Sequence, residues 1–263
     1  MKNSIISILF ATTSLLSAAP AAANTNNCGT YGCPTGASSS NTVVNRAIYT
    51  LSNDRSTKFA DWTAYQVKPS TIDGPSRSRT WKADPAISSS YTLEPSDYTD
   101  AHAVIGTDRG HQVPLASFSN TSYWADTNYL SNITPQRSEL NQGPWVKLEN
   151  AVRSYVRTGQ NVYVITGPLY EYYFATLPRA NEGHTVPSGY FKVVATISSG
   201  GYVNASAFIM QQTSGRSDNY CYKEVTIDEV EQRAGLNIMP SMPSFRESAV
   251  ETRTGGLSSQ LGC

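Results

Sequence analysis

Net charge is what this chain lacks most: 20 Lys and Arg balance 20 Asp and Glu. A protein that coats nucleic acid by bulk attraction carries a strong basic excess, so that class is excluded. Any polyanion must be gripped locally, by clustered arginines or by a metal, with little long-range steering. Long apolar runs are missing after the first 23 residues, which excludes a later membrane-spanning helix. Internal repeats and long low-complexity linkers are absent, so nothing divides the chain into several domains. Histidine is scarce at three residues, and cysteine is limited to four.

What is present begins with a leader. Lys2 supplies a positive start, Ile5 to Leu16 is mostly apolar, and Ala21-Ala22-Ala23 is a small-residue cleavage site. This is the pattern of a secretory signal, removed near Ala23. Residues 24–263 are then expected to form a single exported, soluble domain, long enough to bury a full core. Lys2 is the only charge in the leader, so the remainder carries one net negative charge. Four cysteines in an exported chain favour two disulfides, with three pairings open. Proximity favours Cys28 with Cys33, which leaves Cys221 with Cys263. A zinc site at the first pair would need a second thiol pair or a histidine cluster, and the sequence offers neither.

β-branched and aromatic residues dominate Val43 to Leu51 and Lys58 to Val67, which read as strands. Val162 to Thr166 reads as a buried strand stopped by Gly167-Pro168. Phe191 to Ile197 and Tyr202 to Met210 flank Ser198-Ser199-Gly200-Gly201 and read as a hairpin. Two helices are predicted. One starts near Pro144, buries Trp145, Leu148, Val152, Tyr155 and Val156 on one face, and ends at Gly159. The other starts at Thr226 with the capping box Thr226-Ile227-Asp228-Glu229 and ends at Gly235. The fold class is α+β, a central sheet flanked by helices. The segment from Pro69 to Thr107 has no sustained period, yet carries Arg77, Arg79 and Lys82 beside Trp81, as a binding loop does.

Asp108-Arg109-Gly110-His111 and Asn141-Gln142-Gly143-Pro144-Trp145 carry the chemistry. Cleaving a phosphodiester needs an activated water, neutralised phosphate charge and help for the departing oxygen. An ordinary imidazole titrates near 6.5, so His111 is a candidate general base whose activity should rise with pH. Arg109 can pair with a phosphate oxygen. The carboxamide of Asn141 is a hard, neutral oxygen donor suited to Mg²⁺, although Asn before Gly is also common at a turn. Glu149 and Arg153 lie four apart on one predicted helix face. Glu149 falls about 12 Å along the axis from Asn141, which suits contact with the metal through water rather than direct ligation.

Three segments in order carry a resemblance: Thr107 to Ala116, Tyr129 to Gln136, and Leu140 to Gly143. Together they resemble the secreted DNA/RNA non-specific endonucleases, ββα-metal enzymes with an Asp-Arg-Gly-His motif. The likeness runs through nearly all of the chain after the leader, from Cys28-x4-Cys33-Pro34-Thr35-Gly36 to Leu261-Gly262-Cys263. The family's first cysteine pair is spaced by three residues rather than four, a peripheral departure.

The resemblance implies a mostly antiparallel central sheet with a ββα-metal motif. It implies a secreted, Mg²⁺-dependent enzyme, with Mn²⁺ as a substitute, that cuts DNA and RNA internally, single- or double-stranded, to 5′-phosphate ends. By position, His111 matches the general base, Asn141 the metal ligand and Glu149 the residue that organises metal-bound water. Arg79, Arg109 and Arg153 match arginines on the phosphate, and Asn132 a supporting active-site amide. Asp108 reads as scaffold. A homodimer is compatible, since several members pair. Two other readings are a binding protein without turnover, which would need neither His111 nor Asn141, and a sequence-selective nuclease whose preference lies in residues 69–107.

Overall fold

A computed structural model describes residues 26–263, so the expected leader lies outside the described residues. The main sheet has seven antiparallel strands in the order β1-β2-β3-β6-β7-β8-β9. These are β1 Thr42–Asn45, β2 Tyr49–Asn53, β3 Ala60–Val67, β6 Val162–Leu169, β7 Gly189–Ile197, β8 Val203–Gln211 and β9 Glu224–Val225. A separate two-stranded sheet pairs β4 Thr107–His111 with β5 Ile133–Arg137. The helices are α1 Ala101–Ile105, α2 Ser138–Leu140, α3 Val146–Val156, α4 Ile227–Ala234 and α5 Ser244–Glu251. No helix among the described residues is long and apolar enough to cross a membrane.

Period-two alternation splits the core into two layers. Along β7, Tyr190 and Val194 face the layer containing Trp145, Leu148, Val152 and Val156 of the α3 region. Phe191 and Val193 face the layer containing Ile227 and Val230 of α4. Each fully buried large apolar side chain contributes roughly 1.5–3 kcal/mol, so both faces are strongly held.

Apart from the start of α3, the predicted elements differ from the observed ones in three places. Val43 to Leu51 is a hairpin of two short strands, because Arg46 to Ile48 turns the chain. β6 does not stop at Gly167-Pro168; pairing with β7 continues to Leu169↔Gly189, so the tertiary ladder overrides the local breakers. The Thr226 cap forms, its hydroxyl accepting from Glu229 N at 3.1 Å. The reciprocal half of the box does not: the Glu229 carboxylate accepts from Arg233 instead.

Both disulfides pair as proximity favours, Cys28 with Cys33 and Cys221 with Cys263. The second closes a separation of 42 residues, and in the loop-entropy model constrains the unfolded chain by about 4 kcal/mol.

The small sheet is fastened to the large one through carbonyls that its own ladder leaves over. Pro135 O on β5 accepts from Tyr190 Oη at 2.8 Å and from Gln212 Nε2 at 2.8 Å. Gln212 Oε1 in turn accepts from Arg137 N at 2.7 Å. Tyr98 Oη donates to Ile133 O at 3.0 Å. These bonds set the angle at which β4 and β5 present their residues to α3.

Candidate active site

The β4–β5 ladder runs from Thr107↔Arg137 to His111↔Ile133, so His111 sits at the end of β4. Gly110 lies opposite Thr134, and a Cβ there would come within 2.5 Å of Gln136 Oε1 and 2.7 Å of Gln136 Cβ. Only glycine fits, which explains why the residue before the histidine is Gly. The chain then passes from β5 through α2 into a widened, kinked turn, Asn141–Trp145, before α3. Gly143 has φ −108° and ψ −119°, and a Cβ on it would lie 2.7 Å from Arg216 Cα. The predicted helix start near Pro144 is therefore displaced to Val146, because the non-helical backbone at Gly143 breaks the chain's helical path just before it.

One cavity of about 610 Å³ is lined by Arg79, Arg109, His111, Asn141, Glu149 and Arg153. These are six of the seven residues expected from the sequence. Asn132, expected beside the substrate, is fully buried and does not line the cavity. Its Oδ1 accepts from Val113 N at 2.9 Å, and its Nδ2 donates to Val113 O at 3.0 Å and Thr127 O at 2.9 Å. Its amide is committed to holding the loop after His111, so it is scaffold rather than a substrate contact.

Asp108 is scaffold as expected. Its carboxylate accepts from Asn141 Nδ2 at 2.9 Å, Gln142 Nε2 at 2.8 Å and Ser138 Oγ at 2.8 Å, and pairs with His102 Nδ1 at 3.2 Å. Partial burial pushes its carboxyl up, but these donors outweigh burial and hold it below the usual carboxylate range. By taking the amide NH₂ of Asn141, Asp108 turns the carboxamide oxygen away from itself; this orientation follows from the hydrogen-bond network. That oxygen makes no hydrogen bond among the described residues and is on a cavity-lining side chain. It fits a hard divalent ion.

His111 is half-buried against Trp81, with ring centroids 5.4 Å apart. Burial, with the charge of Arg79 adding to it, pushes the imidazole down from 6.5 to about 4, against an opposing hydrogen bond from Asn128. In these surroundings the ring loses its proton below the ordinary imidazole range, rather than near pH 6.5. His111 Nε2 lies 3.4 Å from Asn128 Oδ1, while Asn128 Nδ2 donates to Ser78 O at 3.2 Å. That second bond orients the Asn128 amide, so Nε2 carries the proton and Nδ1 keeps the lone pair.

Arg109 donates to Pro95 O at 3.2 Å and lies over the Tyr98 and Trp81 rings at 5.3 Å and 5.8 Å. Arg153 is buried, bonded to Ser117 Oγ at 3.4 Å and to Asn150 Oδ1. Arg79 is exposed at the rim.

Below Glu149 is a group that the sequence reading passed over. Lys192, in the middle of β7, is 1% exposed within an apolar layer. Its Nζ lies 3.3 Å from Tyr65 Oη and 4.3 Å from the Trp145 ring centroid. Burial pushes Lys192 down to about 8, with Glu149 opposing that shift and Arg153 adding to it. Burial pushes Glu149 up, and Lys192 is the strongest charge pulling it back. A lone Lys in an otherwise apolar strand was the available signal. Asn128 carried no such mark.

An antiparallel strand pair whose first strand ends in a histidine, followed by a kinked turn and a helix that set an amide oxygen and a carboxylate in the same arginine-lined cavity, defines a nuclease of the ββα type. Comparison with known proteins gives the same class. The profile described as DNA/RNA non-specific endonuclease matches residues 24–245. The nuclease of Serratia marcescens is 43% identical over 97% of this chain and 97% of its own length. Mitochondrial endonuclease G of Bos taurus is 31% identical over 90% of this chain and 81% of its own. A crystal structure of EndoG in complex with its inhibitor EndoGI superposes with TM-score 0.67 at 25% identity, over 78% of this chain and 88% of that one. The chain belongs to the DNA/RNA non-specific endonuclease family.

Proposed function

We propose that residues 24–263 act, after export and removal of the leader, as a single-domain, Mg²⁺-dependent endonuclease that hydrolyses internal phosphodiester bonds of both DNA and RNA to 5′-phosphate ends. The observation that carries this reading is the convergence of a neutral imidazole, a free carboxamide oxygen, a carboxylate and three guanidinium groups on one cavity. None of these groups is of a kind that must read a base edge, which suits grip on the backbone alone.

His111 Nδ1 accepts a proton from the water that attacks phosphorus. Asn128 is a positioning residue: it holds the proton on Nε2 and so reserves Nδ1 for the water. The P–O3′ bond breaks, the 3′ oxygen leaves and takes up a proton, and the phosphate stays on the 5′ side. Arg79, Arg109 and Arg153 offset charge on the phosphoryl oxygens, Arg153 from a fixed position set by Ser117 and Asn150. Asn141 would hold the Mg²⁺, or Mn²⁺ in its place, which when bound supplies Lewis-acid stabilisation of the developing charge. Glu149 orders water on the same side, its charge supported by Lys192.

The test is incubation of purified protein with circular plasmid and with RNA, each in Mg²⁺ or EDTA. Linear and nicked plasmid together with RNA fragments, in Mg²⁺ only and with 5′-phosphate ends, are expected. Cutting that persists in chelator would refute the metal, and cutting of only one sugar type would refute the breadth.

A further inference from the structure

Three carboxylates lie on the side of the main sheet away from the catalytic cavity. Asp228 and Glu231 are three apart on α4 and share a face; Glu251 is the last residue of α5. One oxygen from each lies within 4.8 Å of the other two. None of the three lines the catalytic cavity.

Proximity of acids alone means little, but Glu251 adds a second observation. It is 3% exposed, and its Oε1 is buried without a hydrogen-bond partner among the described residues. No Lys or Arg forms an ion pair with Asp228, Glu231, Glu247 or Glu251 among the described residues. Glu251 also sits at a helix C-terminus, where the helix dipole disfavours an anion. Glu231 spends one oxygen on Ile238 N at 2.6 Å, leaving the other available. A buried carboxylate facing two other acids, with no donor and no cation, is not a stable end state in a folded protein.

We propose that Asp228, Glu231 and Glu251 form a structural site for a calcium-sized divalent cation that ties α5 to α4. Ca²⁺ binds oxygen at about 2.3–2.6 Å, so oxygens on one ion stand up to roughly 5.2 Å apart, and the three oxygens here, all within 4.8 Å of one another, fit inside that limit. Mg²⁺ gives up its waters reluctantly and is usually held by one or two carboxylates, so a set of three favours the larger ion. With three protein carboxylates and the remaining positions filled by water, the affinity belongs to the range of about 10⁻⁴–10⁻³ M.

The experiment uses the full protein carrying Asn141→Ala, so that the candidate catalytic ligand is absent from every arm. Equilibrium dialysis with radioactive Ca²⁺ counts bound ions, and thermal unfolding is followed in Ca²⁺ and in EDTA. One ion per chain is expected in Asn141→Ala and none once Glu251→Gln is added. A tenfold excess over Kd raises Tm by about 3–6 °C in the first protein and leaves the second unchanged. In EDTA the Glu251→Gln protein has the higher Tm, because like-charge repulsion is relieved, and in Ca²⁺ the order reverses. If Glu251→Gln does not fold, Asp228→Asn at the exposed ligand gives the same readings. Indifference of the parent to Ca²⁺, with Glu251→Gln more stable in both media, would mean a shared proton and would overturn the site. An undiminished response in both ligand variants would overturn it as well.

Discussion

The helices α3 and α4, on opposite faces of the main sheet, are built by different rules. α4 obeys local ones: Thr226 caps its first turn, Gly235 closes it in a left-handed conformation, and Ile227 and Val230 point into an apolar layer. α3 breaks them. It has no side-chain cap, its approach is kinked at Gly143, and it buries Arg153 and flanks Lys192 within the layer it packs on. Nothing in helix energetics asks for this. The irregularities of α3 coincide with the cavity, and the regularity of α4 with its absence; local disobedience marks where chemistry constrains the chain.

The comparison can be pushed from the α3 side first. His111→Ala should lower kcat by about 10² or more, with folding intact. The wild-type acid limb should lie near pH 4 to 5 rather than 6.5, and a limb near 6.5 would contradict the pushed-down imidazole. The sign for stability follows. The unfolded chain binds a proton on this ring near 6.5 and the folded chain only near 4, so wild-type stability falls as pH drops through that window. The alanine variant lacks that contribution, which melting curves across the window can read.

Lys192→Met tests the layer beneath. Without its strongest opposing charge, Glu149 should rise further, moving the acid limb of kcat/KM upward and lowering activity on the acid side while leaving the alkaline plateau in place. An unchanged pH profile would reduce Lys192 to packing. On the α4 side, Thr226→Ala should cost about 1 kcal/mol in unfolding free energy and leave kcat/KM as it was. Loss of activity there would erase the distinction between the two faces.

The strands β1 to β3 and β6 to β8 and the helices α3 and α4 were legible because apolar periodicity and caps are local signals, as at Leu148, Val152 and Thr226; β4, β5, α1 and α5 carry no such period and were not. The cavity residues were legible because the Asp-Arg-Gly-His and Asn-Gln-Gly segments keep them close in sequence to their scaffolds. The partners of Asn132 were not legible, because a buried amide serving the backbone looks, in one dimension, the same as one serving a substrate. The continuation of β6 past Gly167-Pro168 was hidden because it depends on β7, about twenty residues later. The depressed His111 depends on Trp81, Arg79 and Asn128, brought together only by folding. Lys192 was in plain view within its strand, but its meaning required knowing that Glu149 lies above it.

The Cys221–Cys263 bridge encloses α4, α5 and the three clustered acids in a covalent ring. A protease that cuts once inside that ring opens the backbone without releasing a fragment. Nicked and intact molecules would therefore migrate together on a denaturing gel until a thiol is added, and a cut in this stretch of the enzyme would pass unseen on any gel run without reductant.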